Sequence, residues 1–269
     1  MLGAIIGDIA GSRFEFHNKK SKEFELLSIE GGCDTTDDSV MTIAIAEAIL
    51  QSGKDLSILG DEAVYRMQDI GRDHPYVGYG RRFCDWLESD NPQPYGSWGN
   101  GAAMRVSPCG FAAESLEEAI AMADEVTAVT HNHPEGMKGA RATAAAVYLA
   151  RTGKTIPEIR DYIEQNFYTI NFTLDEIRPV YKFQESCQGS VPQALEAFFE
   201  STSFEDAIRN AISIGGDSDT IAAITGGIAE AYYGIPDDIR ARALLFLDFE
   251  ELDILRRFEK KYGAYPVKA

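Results

Sequence analysis

The chain has 269 residues, 45% of them apolar, and a formal net charge of −18. Its apolar content is enough for a sizeable core, and so acidic a protein is a poor binder of bare nucleic acid or of an anionic membrane. A phosphate-bearing ligand would need local cations, metal ions or backbone N–H groups to overcome the overall repulsion. No linker, charge block or internal repeat marks a boundary, so we expect one domain spanning residues 1–269.

The N-terminal segment lacks the features of an export signal. Residues 1–8 read MLGAIIGD, with no basic residue and with Asp8 interrupting the apolar run. No stretch approaches the roughly 20 apolar residues of a membrane span. The four cysteines lack CxxC spacing, which favours reduced thiols over a zinc site or a disulfide framework. We therefore expect a cytoplasmic protein with no membrane partner.

Helix signals dominate the rest of the chain. Capping-box patterns, in which Ser or Thr is followed three residues later by an acidic residue, begin at Ser115, Thr155, Thr173 and Ser203. Periodicity and helix-stop signals predict helices over 40–50, 59–72, 80–88, 116–127, 139–151, 192–200, 204–213, 221–233, 238–245 and 250–262. Strand signals are few: 23–27 is a candidate short strand, and 168–172 is ambiguous.

The fold class that these signals predict is all-α, a compact orthogonal multi-helix bundle. The segments 40–50 and 221–233 are apolar nearly all round, which indicates buried central helices. Gly226 and Gly227 weaken the second of them by about 1 kcal/mol each relative to alanine. We expect a neighbouring helix to approach closely there as compensation.

Two short acidic clusters each precede one of these apolar helices. The first cluster consists of Thr36, Asp37 and Asp38, and the second of Asp217, Asp219 and Thr220. Carboxylates held close together repel one another, and burial increases the cost. Hard divalent cations such as Mg²⁺ relieve that repulsion by taking oxygen ligands. If the fold joins the clusters, the result is a carboxylate-rich site for one or two metal ions.

A plain capping role is the alternative for each acidic cluster. Asp, Ser and Thr are ordinary helix N-caps, and acidic residues near a helix start are stabilised by the helix dipole. One cap needs only one side chain, whereas each helix start here has two carboxylates. The glycine pair 215–216 before Asp217 also indicates a bent backbone, which a simple cap does not require.

A glycine-rich loop is the candidate for binding phosphate. It consists of Gly96, Ser97, Trp98, Gly99 and Asn100. Such a loop can direct backbone N–H groups at phosphate oxygens, although glycine and asparagine are equally common in surface turns. It is not a P-loop, because no Gly-Lys-Ser/Thr follows.

The histidine pair and one isolated glutamate complete the set of candidates. His131 and His133 have spacing that a transition metal could use, but a polar loop at a helix start is the favoured interpretation, because the acidic clusters suit hard cations and those prefer oxygen. By spacing alone, Glu15 is an ordinary surface or capping carboxylate.

Taken together, the motifs resemble the ADP-ribosylglycohydrolases, a family that includes dinitrogenase-reductase-activating glycohydrolase and the ADP-ribosyl-acceptor hydrolases. The matching segments are GAIIGDIAGSRFEF (3–16), TTDDSVMTIAIAEAIL (35–50), GSWGNGAAMRVSPCGF (96–111), THNHPEGMKGA (130–140) and IGGDSDTIAAITGGIAEAYYG (214–234). They occur in the order found in the family and span most of the chain.

The resemblance implies an all-α fold with two Mg²⁺ or Mn²⁺ ions in a central cleft. The metal ligands that it implies are Thr36, Asp37, Asp38, Asp217, Asp219 and Thr220. Glu15 matches a glutamate that guards the substrate cleft in the branch acting on serine-linked ADP-ribose. The glycine-rich loop matches a diphosphate-binding loop, with Trp98 where that branch carries tyrosine. His131 matches a position near the bound ADP-ribose.

The implied activity is hydrolytic removal of ADP-ribose from a protein or small-molecule acceptor. Asp217 and Asp219 are candidates for the general base, Asp37 for a catalytic metal ligand, and Glu15 for a group that polarises the scissile bond. We expect a monomer that does not bind nucleic acid. The alternatives are an inactive ADP-ribose-binding or crystallin-like structural protein and a metal-dependent phosphohydrolase.

Overall fold

The computed structural model describes residues 1–263, and within that range it contains fifteen α-helices and no strand. The only strand-like pairing there is an isolated bridge between Gly99 and Ser186. The all-α prediction is therefore confirmed. The helices are α1 Leu2–Ser12, α2 Asp37–Ser52, α3 Leu56–Asp73, α4 Arg81–Leu87, α5 Gly101–Met104, α6 Ser107–Ala112, α7 Leu116–Ala128, α8 Pro134–Arg151, α9 Ile156–Asn166, α10 Leu174–Ile177, α11 Cys187–Phe199, α12 Phe204–Ser213, α13 Ser218–Tyr233, α14 Asp237–Ala243 and α15 Phe249–Tyr262.

The predicted capping residues begin helices in the structure. The hydroxyls of Ser115, Thr155, Thr173 and Ser203 each accept a hydrogen bond from the backbone N–H three residues later. In α9 and α10 the glutamate side chain also accepts a hydrogen bond from the backbone N–H of the capping threonine, which completes a capping box. Local sequence thus decides where these helices start.

Helix α13 lies at the centre of the fold and packs against α1, α8, α11 and α12. Its residues 218–230 are all buried, as are residues 38–49 of α2. The close approach predicted at Gly226 is present, because a Cβ there would lie 2.0 Å from the backbone oxygen of Gly3. In the part of the chain that the structure describes, no helix has both the length and the hydropathy needed to cross a membrane.

Helix α1 was not among the predicted helices. Gly3, Gly7 and Gly11 lower its intrinsic helix propensity, and it is buried over residues 2–11. The same glycines let it lie directly on α13, since a Cβ on Gly11 would be 2.5 Å from the Cα of Asp219. This packing places Asp8 of α1 beside the first turn of α13.

Gly7→Ala should be strongly destabilising, because its Cβ would lie 2.0 Å from the backbone oxygen of Ala222. Neither backbone can move without displacing a packed helix, so we expect a loss of about 2–3 kcal/mol in the free energy of unfolding. Gly60→Ala in α3 is the matched control, since its Cβ would meet nothing nearer than 3.5 Å. That variant should gain up to about 1 kcal/mol. Urea denaturation measures the free energy of unfolding of both variants. Equal values for the two variants would contradict the close packing at Gly7.

The predicted strand at 23–27 is wrong, and 168–172 is also irregular in structure. In the first segment, arginine side chains bind the backbone carbonyls that a neighbouring strand would need. Arg209 Nη1 donates to the oxygen of Phe24 at 2.8 Å, and Arg13 donates to the oxygen of Glu25. The apolar residues Leu26 and Leu27 are buried against the helices instead.

Candidate metal centre and substrate cleft

Asp8 connects α1 to the start of α2. One of its carboxylate oxygens accepts from the backbone N–H of Thr36 at 2.8 Å and from that of Ser39 at 3.0 Å, and both hydroxyls of these residues also donate to the carboxylate. Burial raises the pKa of Asp8 to about 6, and the four hydrogen bonds oppose that rise. Asp8 therefore fixes the position of the first acidic cluster.

Sequence reasoning did not identify Asp8 as a site residue. The signal that could have found it is a single carboxylate inside an otherwise apolar stretch, because a buried charge needs a partner or a ligand. Its partners lie 28 and 31 residues away, so no local pattern connects them.

The two acidic clusters meet at the start of α13. The hydroxyl of Thr220 donates to Asp38 Oδ2 at 3.0 Å. Oxygens of Asp8, Asp38 and Asp219 all lie within 4.8 Å of one another, and so do oxygens of Glu15, Asp217 and Asp219. The two carboxylate trios share Asp219, which gives two adjacent places where a cation could bind.

Capping explains part of the first acidic cluster but not the second. Thr36 is the N-cap of α2 and accepts from the backbone N–H of Asp38 at 3.4 Å. Asp217 occupies the N-cap position of α13, yet its side chain makes no capping hydrogen bond. It accepts instead from Asn100 Nδ2 at 2.7 Å. The carboxylate of Asp217 thus lines the cleft beside Asn100 and Asp219 and does not cap the backbone of α13.

The glycine pair before α13 has the backbone conformation that the sequence predicts. Gly215 and Gly216 have φ angles of 69° and 80°, in the left-handed region. A Cβ on Gly216 would also lie 2.3 Å from the ring of Tyr181. This bend directs Asp217 towards the cleft.

Burial and mutual repulsion raise the pKa values of the clustered carboxyl groups. The pKa of Asp37 rises to about 8, first through burial and then through the charges of Asp8 and Asp217. Burial followed by the nearby aspartates raises the pKa of Asp38 and of Asp219 well above the ordinary value. A bound cation would favour the fully ionised form of such a site.

The donor set fits Mg²⁺ or Mn²⁺. All its candidate atoms are carboxylate or hydroxyl oxygens, which hard cations prefer. Asp38 Oδ1 is buried and has no hydrogen-bond partner among residues 1–263. A buried carboxylate oxygen without a hydrogen-bond partner destabilises the fold unless a ligand binds to it.

The other predicted metal ligands lie around the two trios. Asp37 lines the cleft, but none of its oxygens belongs to either trio. The hydroxyl of Thr36 donates to Asp8 at 2.6 Å. Thr220 also lines the cleft. The role of metal ligand that the sequence predicts for Thr36, Asp37 and Thr220 therefore remains a prediction.

Glu15 is not the ordinary surface carboxylate that spacing alone predicts. It is half-buried, lines the cleft and belongs to the second trio. Burial and the charges of Asp217, Asp8 and Glu185 raise its pKa to about 7. The exposed rings of Phe16 and Phe183 stack with 6.1 Å between centroids.

Carboxylates, cationic side chains and aromatic side chains together line a cavity of about 370 Å³. The lining residues outside the acidic set include Arg81, Arg82, Arg105, Phe83, Tyr95 and His131. An adjoining groove of about 420 Å³ contains Arg82, Trp98, Gln184 and Gln188. The cavity thus offers both acidic and basic groups to a ligand.

The glycine-rich loop is partly occupied by its own hydrogen bonds. The amide of Gly96 donates to Asn132 Oδ1 at 2.8 Å, that of Gly99 to Ser97 Oγ at 3.2 Å, and that of Asn100 to the oxygen of Glu185 at 2.7 Å. Within residues 1–263 the amide of Trp98 has no acceptor. Fewer amides than the sequence predicts are therefore free to bind a phosphate.

The two histidines play different structural parts. His133 is the N-cap of α8 and accepts from the backbone N–H of Glu135 at 3.1 Å. His131 is buried and lines the cleft. His133 thus caps a helix start, and the preference for a polar loop over a histidine metal site stays a prediction.

A profile of the ADP-ribosylglycohydrolase family matches residues 1–264. Because this match covers nearly the whole sequence, the chain belongs to the ADP-ribosylglycohydrolase family. It is accordingly an ADP-ribosyl glycohydrolase, an enzyme that removes ADP-ribose by hydrolysis.

Several relatives align along most of the chain. ADP-ribosylhydrolase ARH3 of Xenopus tropicalis is 27% identical, over 87% of this chain and 86% of the relative. ADP-ribosylarginine hydrolase Tri1 of Pseudomonas putida is 28% identical, over 87% and 70%. ADP-ribosyl-[dinitrogen reductase] glycohydrolase of Rhodospirillum rubrum is 27% identical, over 95% and 91%.

The fold is also found in a solved structure, an ADP-ribosylglycohydrolase-related protein complex. The two chains superpose with a TM-score of 0.69 at 23% identity, over 97% of this chain and 96% of the other. This likeness supports the fold.

Proposed function

We propose that the protein hydrolyses the bond between the anomeric carbon of ADP-ribose and an acceptor, with two Mg²⁺ or Mn²⁺ ions bound by the joined acidic clusters. The observation that carries this proposal is the pair of carboxylate trios sharing Asp219 at the cleft. A cap or a structural role would not need the carboxylates of Glu15, Asp38, Asp217 and Asp219, from three separate segments, to line one cavity.

In this proposal the first cation is held by Asp8, Asp38 and Asp219, and the second by Glu15, Asp217 and Asp219. Thr36, Asp37 and Thr220 complete the ligand set. Bound there, the cations would orient the ribose hydroxyls and lower the pKa of a water molecule. The cations also reconcile a net charge of −18 with an anionic substrate.

The carboxylates themselves would act on the reacting centre. Glycosidic cleavage passes through an oxocarbenium-like state, whose positive charge nearby carboxylates stabilise. Asp217 or Asp219 would accept the proton of the attacking water. Asn100 holds Asp217 in place through its 2.7 Å hydrogen bond. Glu15, which is half-buried at the same cleft, would polarise the scissile bond.

The basic surface of the cavity would bind the diphosphate. Arg81 and Arg82 line the cavity and carry the charge that the anion needs. The amide of Trp98 is free to donate to an oxygen. The half-exposed indole of Trp98 lines the adjoining groove, where it can pack against a ligand. The phosphate groups and the scissile bond would thus contact different side chains of one cavity.

The reaction class does not determine which bond between ADP-ribose and its acceptor the enzyme cleaves. The motif resemblance of Glu15 and the glycine-rich loop favours serine-linked ADP-ribose, whereas the Tri1 relative acts on ADP-ribosylarginine. We propose a serine-linked acceptor on the motif resemblance. Comparison of the two linkages in one assay decides between them.

Thermal unfolding with ADP-ribose and Mg²⁺ separates the hydrolase from its alternatives. We expect the two ligands together to raise the melting temperature by more than the sum of their separate effects, because each binds beside the other. A structural protein would show no joint shift. A phosphohydrolase would cleave the diphosphate of ADP-ribose to AMP and ribose 5-phosphate, which chromatography detects, and that result would contradict the proposal.

A further inference from the structure

Three buried side chains form a hydrogen-bonded row behind the glycine-rich loop. Arg105 Nη2 donates to Thr130 Oγ1 at 2.6 Å, and Thr130 Oγ1 lies 2.7 Å from Nδ1 of His131. Arg105 is 1% exposed, Thr130 fully buried and His131 5% exposed. Arg105 has no carboxylate within salt-bridge distance among the described residues.

The number of protons in this row determines the tautomer of the imidazole. A guanidinium only donates, so Thr130 Oγ1 must accept from Arg105. If His131 Nδ1 also donated to that oxygen, the threonine proton would have no acceptor, which is costly in a buried site. The hydroxyl therefore donates to Nδ1, and the ring proton of the neutral imidazole resides on Nε2.

The protonated nitrogen lies at the cleft, directly under the glycine-rich loop. A Cβ on Gly101 would be 3.3 Å from Nε2, and one on Gly99 would be 3.5 Å from it. Across residues 1–263 no side chain or backbone group forms a hydrogen bond with Nε2. Two glycines thus leave space around a donor that has no acceptor in the protein.

We propose that Arg105 and Thr130 are positioning residues that hold His131 as its neutral Nε2–H tautomer, so that it donates a hydrogen bond to a phosphate or ribose oxygen in the cleft. The identity of the ligand rests on the proposed function, whereas the tautomer does not. Burial and the charges of Arg105 and Arg82 also lower the pKa of His131 well below its ordinary value, which keeps the ring neutral.

Nitrogen NMR of histidine-labelled protein tests the tautomer directly. The chain has four histidines, and the H131Q variant identifies the signals of His131. We expect the native ring to show a protonated Nε2 and an unprotonated Nδ1 at neutral pH. The opposite tautomer, or an imidazolium, would overturn the proposal whatever the variants do.

Thr130→Val, which keeps the shape and removes the hydroxyl, tests the positioning role. We expect mixed tautomers and about a tenfold weaker Kd for ADP-ribose, equivalent to about 1.4 kcal/mol, while Thr130→Ser restores both. Thr127→Val is the matched control, because Thr127 is fully buried and its hydroxyl has no partner. It should keep the native tautomer and affinity.

The outcomes separate this inference from the proposed function. Native tautomer and native affinity in a folded Thr130→Val variant would overturn the positioning role. If that variant does not fold, the tautomers of the native and Thr130→Ser proteins still decide the proposal. No affinity of the native protein for ADP-ribose would contradict the proposed function, while the NMR result would stand by itself.

Discussion

Asp219→Asn is expected to reduce ADP-ribose release by about 10³-fold or more, because the substitution removes the carboxylate that both trios share. An amide oxygen is a weaker ligand for a hard cation than a carboxylate oxygen. Loss of the shared carboxylate therefore affects two adjacent sites. The kcat for an ADP-ribosylated peptide at saturating Mg²⁺ measures the effect. Asp37→Ala should also abolish turnover.

The same variant should be more stable than the native protein without metal. Asp219 is buried beside Asp38 and Asp217, whose charges repel it. At a pH above the raised pKa of Asp219, removal of its charge relieves that repulsion. Each 1 kcal/mol gained raises the melting temperature by about 2–4 °C in a chain of this size. Added Mg²⁺ should then produce little further rise. Loss of activity combined with higher metal-free stability is the signature of a ligand, since loss of a structural residue lowers both.

Asp61→Asn is the control for this pair of measurements. Asp61 lies on the exposed surface of α3, so its substitution should change neither activity nor the effect of Mg²⁺. Full activity in Asp219→Asn, or a metal-free melting temperature below that of the native protein, would refute the assignment of Asp219 as the shared ligand.

The second large effect is a loss of metal-free stability as the pH rises from about 4 to about 8. The folded pKa values of Asp8, Glu15 and Asp37 rise to about 6, 7 and 8, whereas unfolded carboxyl groups titrate near 4. Between these values the folded state binds more protons than the unfolded state. The free energy of unfolding therefore decreases with rising pH and levels off above the folded pKa values.

Magnesium should reverse this trend. Protons compete with a cation for the same oxygens, so the stabilisation by Mg²⁺ increases as the carboxyl groups ionise. We expect the metal-free melting temperature to fall by at least about 4 °C between pH 5.5 and 8.5. With saturating Mg²⁺ it should stay level or rise. Calorimetry in EDTA and in Mg²⁺ measures the two curves.

Asp37→Asn provides the matched control for the pH experiment. It removes the group whose pKa rises to about 8. The fall in the metal-free melting temperature between pH 7 and 8 should therefore diminish, while the fall at lower pH persists. Identical curves with and without Mg²⁺ in the native protein would contradict a cation site at these carboxylates.

The helices and the acidic clusters were predictable because their signals are local. Thr155 and Glu158 lie three residues apart and cap the same helix. The nearly all-apolar composition of residues 221–233 predicted a buried helix, and residues 221–230 are buried. The residues of the two clusters were identified from carboxylate density alone. Their convergence through Thr220 and Asp38, 182 residues apart, required the resemblance or the structure.

Asp8 and helix α1 were not predictable in the same way. The three glycines of α1 lower its helix propensity, and only their contact with α13 makes them favourable. Asp8 acquires its role from that packing, since it lies far in sequence from Thr36 and Ser39. The hydrogen-bonded row that ends at His131 likewise depends on a contact between Arg105 and Thr130, which are 25 positions apart. Local patterns contain no information on such contacts.

The most direct test of the central claim is ADP-ribose release from matched serine-linked and arginine-linked peptides, each with Mg²⁺ and with EDTA. We predict release from the serine-linked peptide, loss of that release in EDTA and its recovery on adding Mg²⁺. Release from the arginine-linked peptide alone would change the acceptor but keep the metal centre. Release that persists in EDTA, or none from either peptide despite Mg²⁺-dependent binding of ADP-ribose, would contradict a metal-dependent hydrolase.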